Sequence, residues 1–111
     1  MKKEIHVAVC EGRHEIKEAT DGAIFPATIP NDVLIHPVEL TVNAEITLSK
    51  LFEVDLITFL ETDERLVVNL YITGLTVATL AIVNACHEYD INLVCWHYDR
   101  ETETYFPQYM F

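Results

Sequence analysis

The sequence predicts an α/β protein with one small domain: a mixed, mostly parallel sheet with one right-handed βαβ unit and a C-terminal antiparallel hairpin. Three observations carry this expectation. Leu66–Ile72 (LVVNLYI) is nearly continuous apolar sequence, as in a central strand covered on both faces. From Val77 to about Glu88, the residues Val77, Leu80, Ala81, Ile82, Val83 and Ala85 fit a helix of roughly three turns, buried on a broad face. Ile91–His97 (INLVCWH) reads as a second buried strand. Two buried strands joined by one such helix are expected to be parallel, with a right-handed crossover, forming a core unit over residues 66–98.

The remaining elements follow from local signals. Ile5–Cys10 (IHVAVC) is rich in β-branched residues and reads as a strand, and Asp21-Gly22 marks a tight turn. Ala23–Pro37 holds Pro26, Pro30 and Pro37, which argues for extended segments and turns along a sheet edge. Leu40, Val42, Ala44, Ile46 and Leu48 alternate with polar residues, which favours a half-buried strand; Leu51–Leu60 fits either a helix or a strand. Glu61–Arg65 is a charged connector. Asp99-Arg100-Glu101 is a turn, Thr102–Phe106 a returning antiparallel strand, and Pro107 its stop. The sum is a sheet of four to six strands with one or two helices.

Composition narrows the function classes. At 111 residues and 12.7 kDa the chain has room for one core. Half the residues are apolar, with only 3 Gly and 4 Pro, as in a folded chain. Seven basic against 18 acidic residues give a net charge of -11, which repels phosphate backbones and excludes nonspecific wrapping of duplex nucleic acid. A small nucleotide held by backbone N–H groups at a helix start, a basic protein partner and divalent metals stay compatible with that charge. Cys10, Cys86 and Cys95 form no CxxC and sit in apolar settings, so they read as core thiols of a cytoplasmic protein. Met1–Glu4 has no apolar segment behind it and no apolar run is long enough to span a membrane, so neither secretion nor membrane insertion is expected.

Ligands of open α/β sheets gather where parallel strands end and helices begin, which here means Thr73–Thr76 and His97–Arg100. Thr73-Gly74-Leu75-Thr76 offers a glycine turn, two hydroxyls and the free N–H groups of a helix start, with Thr76 as the expected N-cap. It is neither a P-loop nor a dinucleotide fingerprint; an ordinary βα turn relieved by Gly74 explains the same residues. In His97-Tyr98-Asp99-Arg100, His97 is the candidate general base or acid. Asp99 is its orienting group or a metal ligand, and Arg100 the candidate phosphate partner. Alternation along a strand places His97 and Asp99 on one face and Tyr98 and Arg100 on the other. The competing reading is a hairpin turn capped by Asp99 with a satisfied strand-end His97. His6, His14, His36 and His87 show no metal spacing, a lone serine excludes a GxSxG nucleophile, and no cofactor motif is present. The tail Tyr105, Phe106, Tyr109 and Phe111 reads as packing on the sheet or at a subunit interface; the acidic charge counts against the alternative, a base-stacking platform.

The stretch LVVNLYITGLTVATLAIVNACHEYDINLVCWHYDRETETYF resembles the strand–Gly-turn–helix–strand–Asp–Arg hairpin of small CRISPR-associated proteins with a Rossmann-like core. Those proteins bind or cleave cyclic oligoadenylate second messengers, some as stand-alone dimeric ring nucleases. The resemblance covers Leu66–Phe106, about a third of the chain, and rests on Gly74, Asp99, Arg100 and the apolar periodicity. It implies ligand contact at Thr73, Gly74, Leu75 and Thr76, a role for Asp99 and Arg100, a homodimer, and a part in antiviral defence. Small ring nucleases carry a histidine within the helix; here that stretch reads VATLAIVNA and the nearest histidine is His87. Two functions are therefore expected to compete. One is binding, with or without cleavage, of a nucleotide-class ligand, with His97 as base and Arg100 and the TGLT amides stabilising the phosphorane. The other is a non-enzymatic acidic interaction or inhibitory protein docking on a basic partner.

Overall fold

A computed structural model describes residues 2–12 and 15–111. Five strands form one sheet: β1 (Glu4–Cys10), β2 (Ala23–Phe25), β3 (Val67–Tyr71), β4 (Asn92–Asp99) and β5 (Thr104–Tyr109), in the order β2-β1-β3-β4-β5. The first four are parallel to their neighbours, and β5 returns antiparallel beside β4. Among the described residues there are four helices: α1 (Asn31–Leu34), α2 (Pro37–Phe52), α3 (Leu56–Leu60) and α4 (Thr76–Glu88). The β3–α4–β4 unit is present with its strands paired in parallel, Val68 opposite Leu93 and Leu70 opposite Cys95. This is a Rossmann-like α/β arrangement with two long helices and two short ones.

The two long helices pack on each other and on β1. Alternation then sorts the strands. Ile5, Val7 and Val9 of β1, Val68 and Leu70 of β3, and Leu93 and Cys95 of β4 are buried in the core with the helices. The opposite face carries His6, Asn69, Tyr71, Trp96, Tyr98, Tyr105 and Tyr109, brought into rows by the register. β3 is buried on this side too, as expected of its continuous apolar sequence, and the cover comes from neighbouring side chains.

The segment Leu40–Leu48 is helical, not a strand. Leu40, Ala44, Leu48 and Phe52 recur every fourth residue and are buried, whereas Val42 and Ile46 are 44% and 49% exposed. An alternation of five apolar residues contains a four-residue repeat, and here the helical repeat makes the core. Pro37 sits in the first turn of α2, where its missing N–H costs nothing. Between Pro30 and Pro37 there is room for the single helical turn α1, so that region is not wholly extended. Asp55 starts α3 by accepting the Ile57 and Thr58 N–H groups at 3.0 and 3.3 Å. Asp90, at φ 55°, ends α4, and the Ile91 N–H donates back to the Cys86 carbonyl at 2.8 Å. The N-cap of α4 is Leu75 rather than Thr76, and it makes no side-chain capping bond. β5 continues through Pro107 to Tyr109, because a nitrogen turned outward on an edge strand needs no donor. Cys86 and Cys95 are buried and Cys10 half-buried, all three as free thiols, with Cys86 pushed up to about 12 by burial and then by Cys95.

Where α2 meets α4, two carboxylates face each other. The Glu45 carboxyl is pushed up to about 7, first by burial and then by Glu88, and the Tyr89 hydroxyl at 3.4 Å offsets part of this. The folded chain therefore holds a proton that the unfolded chain releases near 4.5, so this contribution to stability is lost as pH rises through about 7. Glu45→Gln is expected to leave urea stability unchanged at pH 4. At pH 8 it should add about 1 kcal/mol, a value kept small by solvent screening.

Candidate functional site

The order β2-β1-β3-β4-β5 places the topological switch point between β1 and β3. From there the chain leaves β1 toward β2 on one side and leaves β3 toward β4 on the other. Carboxyl ends diverging in this way open a crevice. A cavity of about 590 Å³ lies there, bounded by Gly12, Glu15, Ile16, Ile72, Thr73, Tyr98 and Tyr105. A second, of about 440 Å³, shares Gly12, Glu15, Ile16 and Thr73 and runs to Cys10 and Gly22. A third, of about 460 Å³, shares Tyr98 and Tyr105 and reaches Glu18, Tyr71 and Trp96. Each falls within the size range of small-ligand sites.

The connection after β1 forms one wall. Its return is pinned by Asp21, which accepts the His6 N–H at 2.9 Å and pairs with the Lys2 ammonium. Gly22, at φ 103°, makes the turn that an L side chain would resist. His14 lies outside the described residues.

The other wall is aromatic. Tyr98 and Tyr105, paired across β4 and β5, meet edge-on at 5.2 Å, Tyr105 meets Tyr71 edge-on at 5.1 Å, and Tyr71 stacks on Trp96 at 6.0 Å. Asn69 anchors this wall from beneath. Its side-chain oxygen accepts the Trp96 indole N–H at 3.1 Å, while its nitrogen donates to Glu4 at 2.9 Å and to the Ile5 carbonyl at 3.3 Å. Burial, followed by the nearby Glu18 carboxylate, raises both Tyr71 and Tyr105, so their hydroxyls stay protonated and able to donate. Cys10 is likewise raised by burial and stays a thiol.

The residues expected from sequence are divided among three places. Thr73 lines the crevice. Gly74, Leu75 and Thr76 stand exposed beside it, with Gly74 at φ 29° turning the chain into α4. His97 and Asp99 lie on the other face of β4: His97 Nε2 is 2.8 Å from Gln108 Oε1, and its ring lies on Phe106 at 5.4 Å. The Asp99 carboxylate accepts the Glu101 N–H at 2.9 Å, closing the hairpin turn in which Arg100 is exposed. His97, Asp99 and Arg100 are therefore not gathered at the crevice. Tyr71, Tyr98, Tyr105, Gly12, Glu15 and Ile16 are. Tyr98 was separable from His97 by strand alternation, but its partners Tyr71 and Tyr105 become visible only with the register of β3, β4 and β5.

Chemically, the crevice offers flat aromatic surface, phenolic donors, the Thr73 hydroxyl and carboxylate acceptors from Glu15 and Glu18. Thr73 leads through Gly74 into α4, whose first N–H groups carry no side-chain cap. Among the described residues no cluster of three His, Cys, Asp or Glu side chains forms a metal site, and no helix is long and apolar enough to cross a membrane. Comparison with protein-family models, curated proteins and solved structures gives no match.

Proposed function

We propose that this chain is a cytoplasmic, homodimeric binding protein for a nucleotide-class ligand held in the crevice between the carboxyl ends of β1 and β3. The observation that carries this reading is the meeting of the Tyr98–Tyr105 pair with Thr73, Gly12, Glu15 and Ile16 in one crevice at the switch point. A nucleobase fits the aromatic wall, where stacking is worth about 1–3 kcal/mol per base. Its exocyclic amine would donate to Glu15 or Glu18, which suits an acidic wall better than a second phosphate would. The phosphate belongs at the N–H groups of α4, where a favourable dipole needs no basic side chain. The resemblance of Leu66–Phe106 to CRISPR-associated proteins makes cyclic oligoadenylate the member of this class to try first, and a symmetric ring suits two copies of the crevice. The reading is one of binding, since the only base suggested by the strand ends, His97, faces away from the aromatic wall.

Isothermal titration with a cyclic oligoadenylate series, with AMP as reference, tests this. Tyr105→Ala is expected to lower affinity by about tenfold, while His97→Ala leaves it unchanged. Absence of binding to the wild-type chain, or full affinity in Tyr105→Ala, contradicts the reading.

A further inference from the structure

We propose that the groove between α2 and α4 is a docking site for a cationic amphipathic helix of a partner protein. The residues that make it are those the core leaves out. On α2, Val38 and Val42 project from the buried Leu40–Ala44–Leu48 row, Val38 being 77% exposed. On α4, Val77 and Leu80 do the same, Leu80 being 56% exposed. Between them lie two adjoining hollows of about 310 and 170 Å³ that share Pro37 and Asn84. An apolar surface formed by two packed helices matches the ridge of a third helix, which anchors through residues spaced three and four apart.

Charge chooses the occupant. The charged residues lining the hollows are Glu45 and Glu88, at one end of the groove, and no lysine or arginine lines either hollow. These carboxylates repel each other, and a lysine or arginine placed between them would remove that repulsion while apolar neighbours fill the hollows. A second copy of this chain brings no such cation: its matching face carries the same two glutamates, and each copy has a net charge of -11. A helix with one leucine-rich face flanked by lysines or arginines satisfies both features. This inference is independent of the crevice and lies on the opposite side of the sheet from its aromatic wall.

Two synthetic helical peptides with the same leucine face test it, one bearing lysines and the other glutamates on the polar face. Each is titrated into the full chain by fluorescence anisotropy. The lysine peptide is expected to bind and the glutamate peptide not to. Leu80→Asp is the decisive variant, because it makes the chain more acidic while spoiling the groove. General attraction would tighten binding to it, whereas docking predicts at least about a tenfold loss. Val38→Asp, on the other helix, is expected to do the same, and a Glu45→Gln, Glu88→Gln pair to weaken binding about tenfold. Circular dichroism confirms that each variant is folded. Equal or tighter lysine-peptide binding in folded Leu80→Asp and Val38→Asp overturns the proposal, as does equal binding of the two peptides. So does a dimer that Leu80→Asp dissociates in a chain that binds neither peptide.

Discussion

Phe52→Ala is expected to lower stability by about 3–5 kcal/mol, on the order of 15–25 °C in thermal midpoint. Phe52 is fully buried at the last turn of α2, and it shares the core with Leu48 of the same helix and with Leu56 and Phe59 of α3. Removing its ring withdraws a large apolar area and leaves a void that two short-linked helices close only in part. Small domains have about 5–15 kcal/mol in total, so the variant should be partly unfolded at modest urea concentration. A drop in the urea midpoint with the slope retained is the expected result. Val42→Ala, at an exposed position of the same helix, is expected to change the midpoint little, because no core contact is lost.

Asn69→Ala is expected to cost about 2–3 kcal/mol and to reduce ligand affinity as well. Asn69 is the one buried polar residue among the described residues, on the sheet face away from the helices, and its side chain is fully employed. Without it the Trp96 indole N–H and the Ile5 carbonyl lose a partner in a setting where water replaces it poorly. The consequence reaches the site because Trp96 supports Tyr71, and Tyr71 supports Tyr105. Asn69→Asp separates the two effects. It keeps the acceptor for Trp96 but places a carboxylate 2.9 Å from Glu4, where Asn69 now donates. Urea denaturation should show destabilisation in both variants, with affinity better retained in Asn69→Asp than in Asn69→Ala.

The β3–α4–β4 unit was legible in the sequence because each of its elements has one dominant period: continuous apolar strands and a broad-faced helix between them. Leu40–Leu48 was not, since Leu40, Ala44 and Leu48 belong to a twofold and a fourfold pattern at once. Only packing distinguishes them, by burying those three and leaving Val42 and Ile46 outside. The same ambiguity hid the α2–α4 groove, whose α2 wall includes Val42, a residue that a strand would have buried. At the strand ends, Thr73 could be placed from its position after β3. His97 and Asp99 drew attention because their chemistry is reactive, but the hairpin uses both locally, through Gln108 and the Glu101 N–H. The aromatic wall needed register: Tyr98 and Tyr105 face each other only once the β4–β5 hairpin pairing is fixed, and Tyr71, far from both in sequence, joins them through the β3–β4 pairing.

The central claim is that ligand sits at the β1/β3 switch point against the tyrosine wall. Amide and aromatic NMR shifts recorded while cyclic oligoadenylate is added test it most directly, because they report position rather than affinity alone. The account predicts that the largest changes fall on Gly12, Ile16, Thr73, Gly74, Tyr98 and Tyr105, with the Val42–Leu80 groove and the His97–Gln108 pair undisturbed. Changes centred on His97, Asp99 and Arg100, with Thr73 and Tyr105 silent, would contradict it.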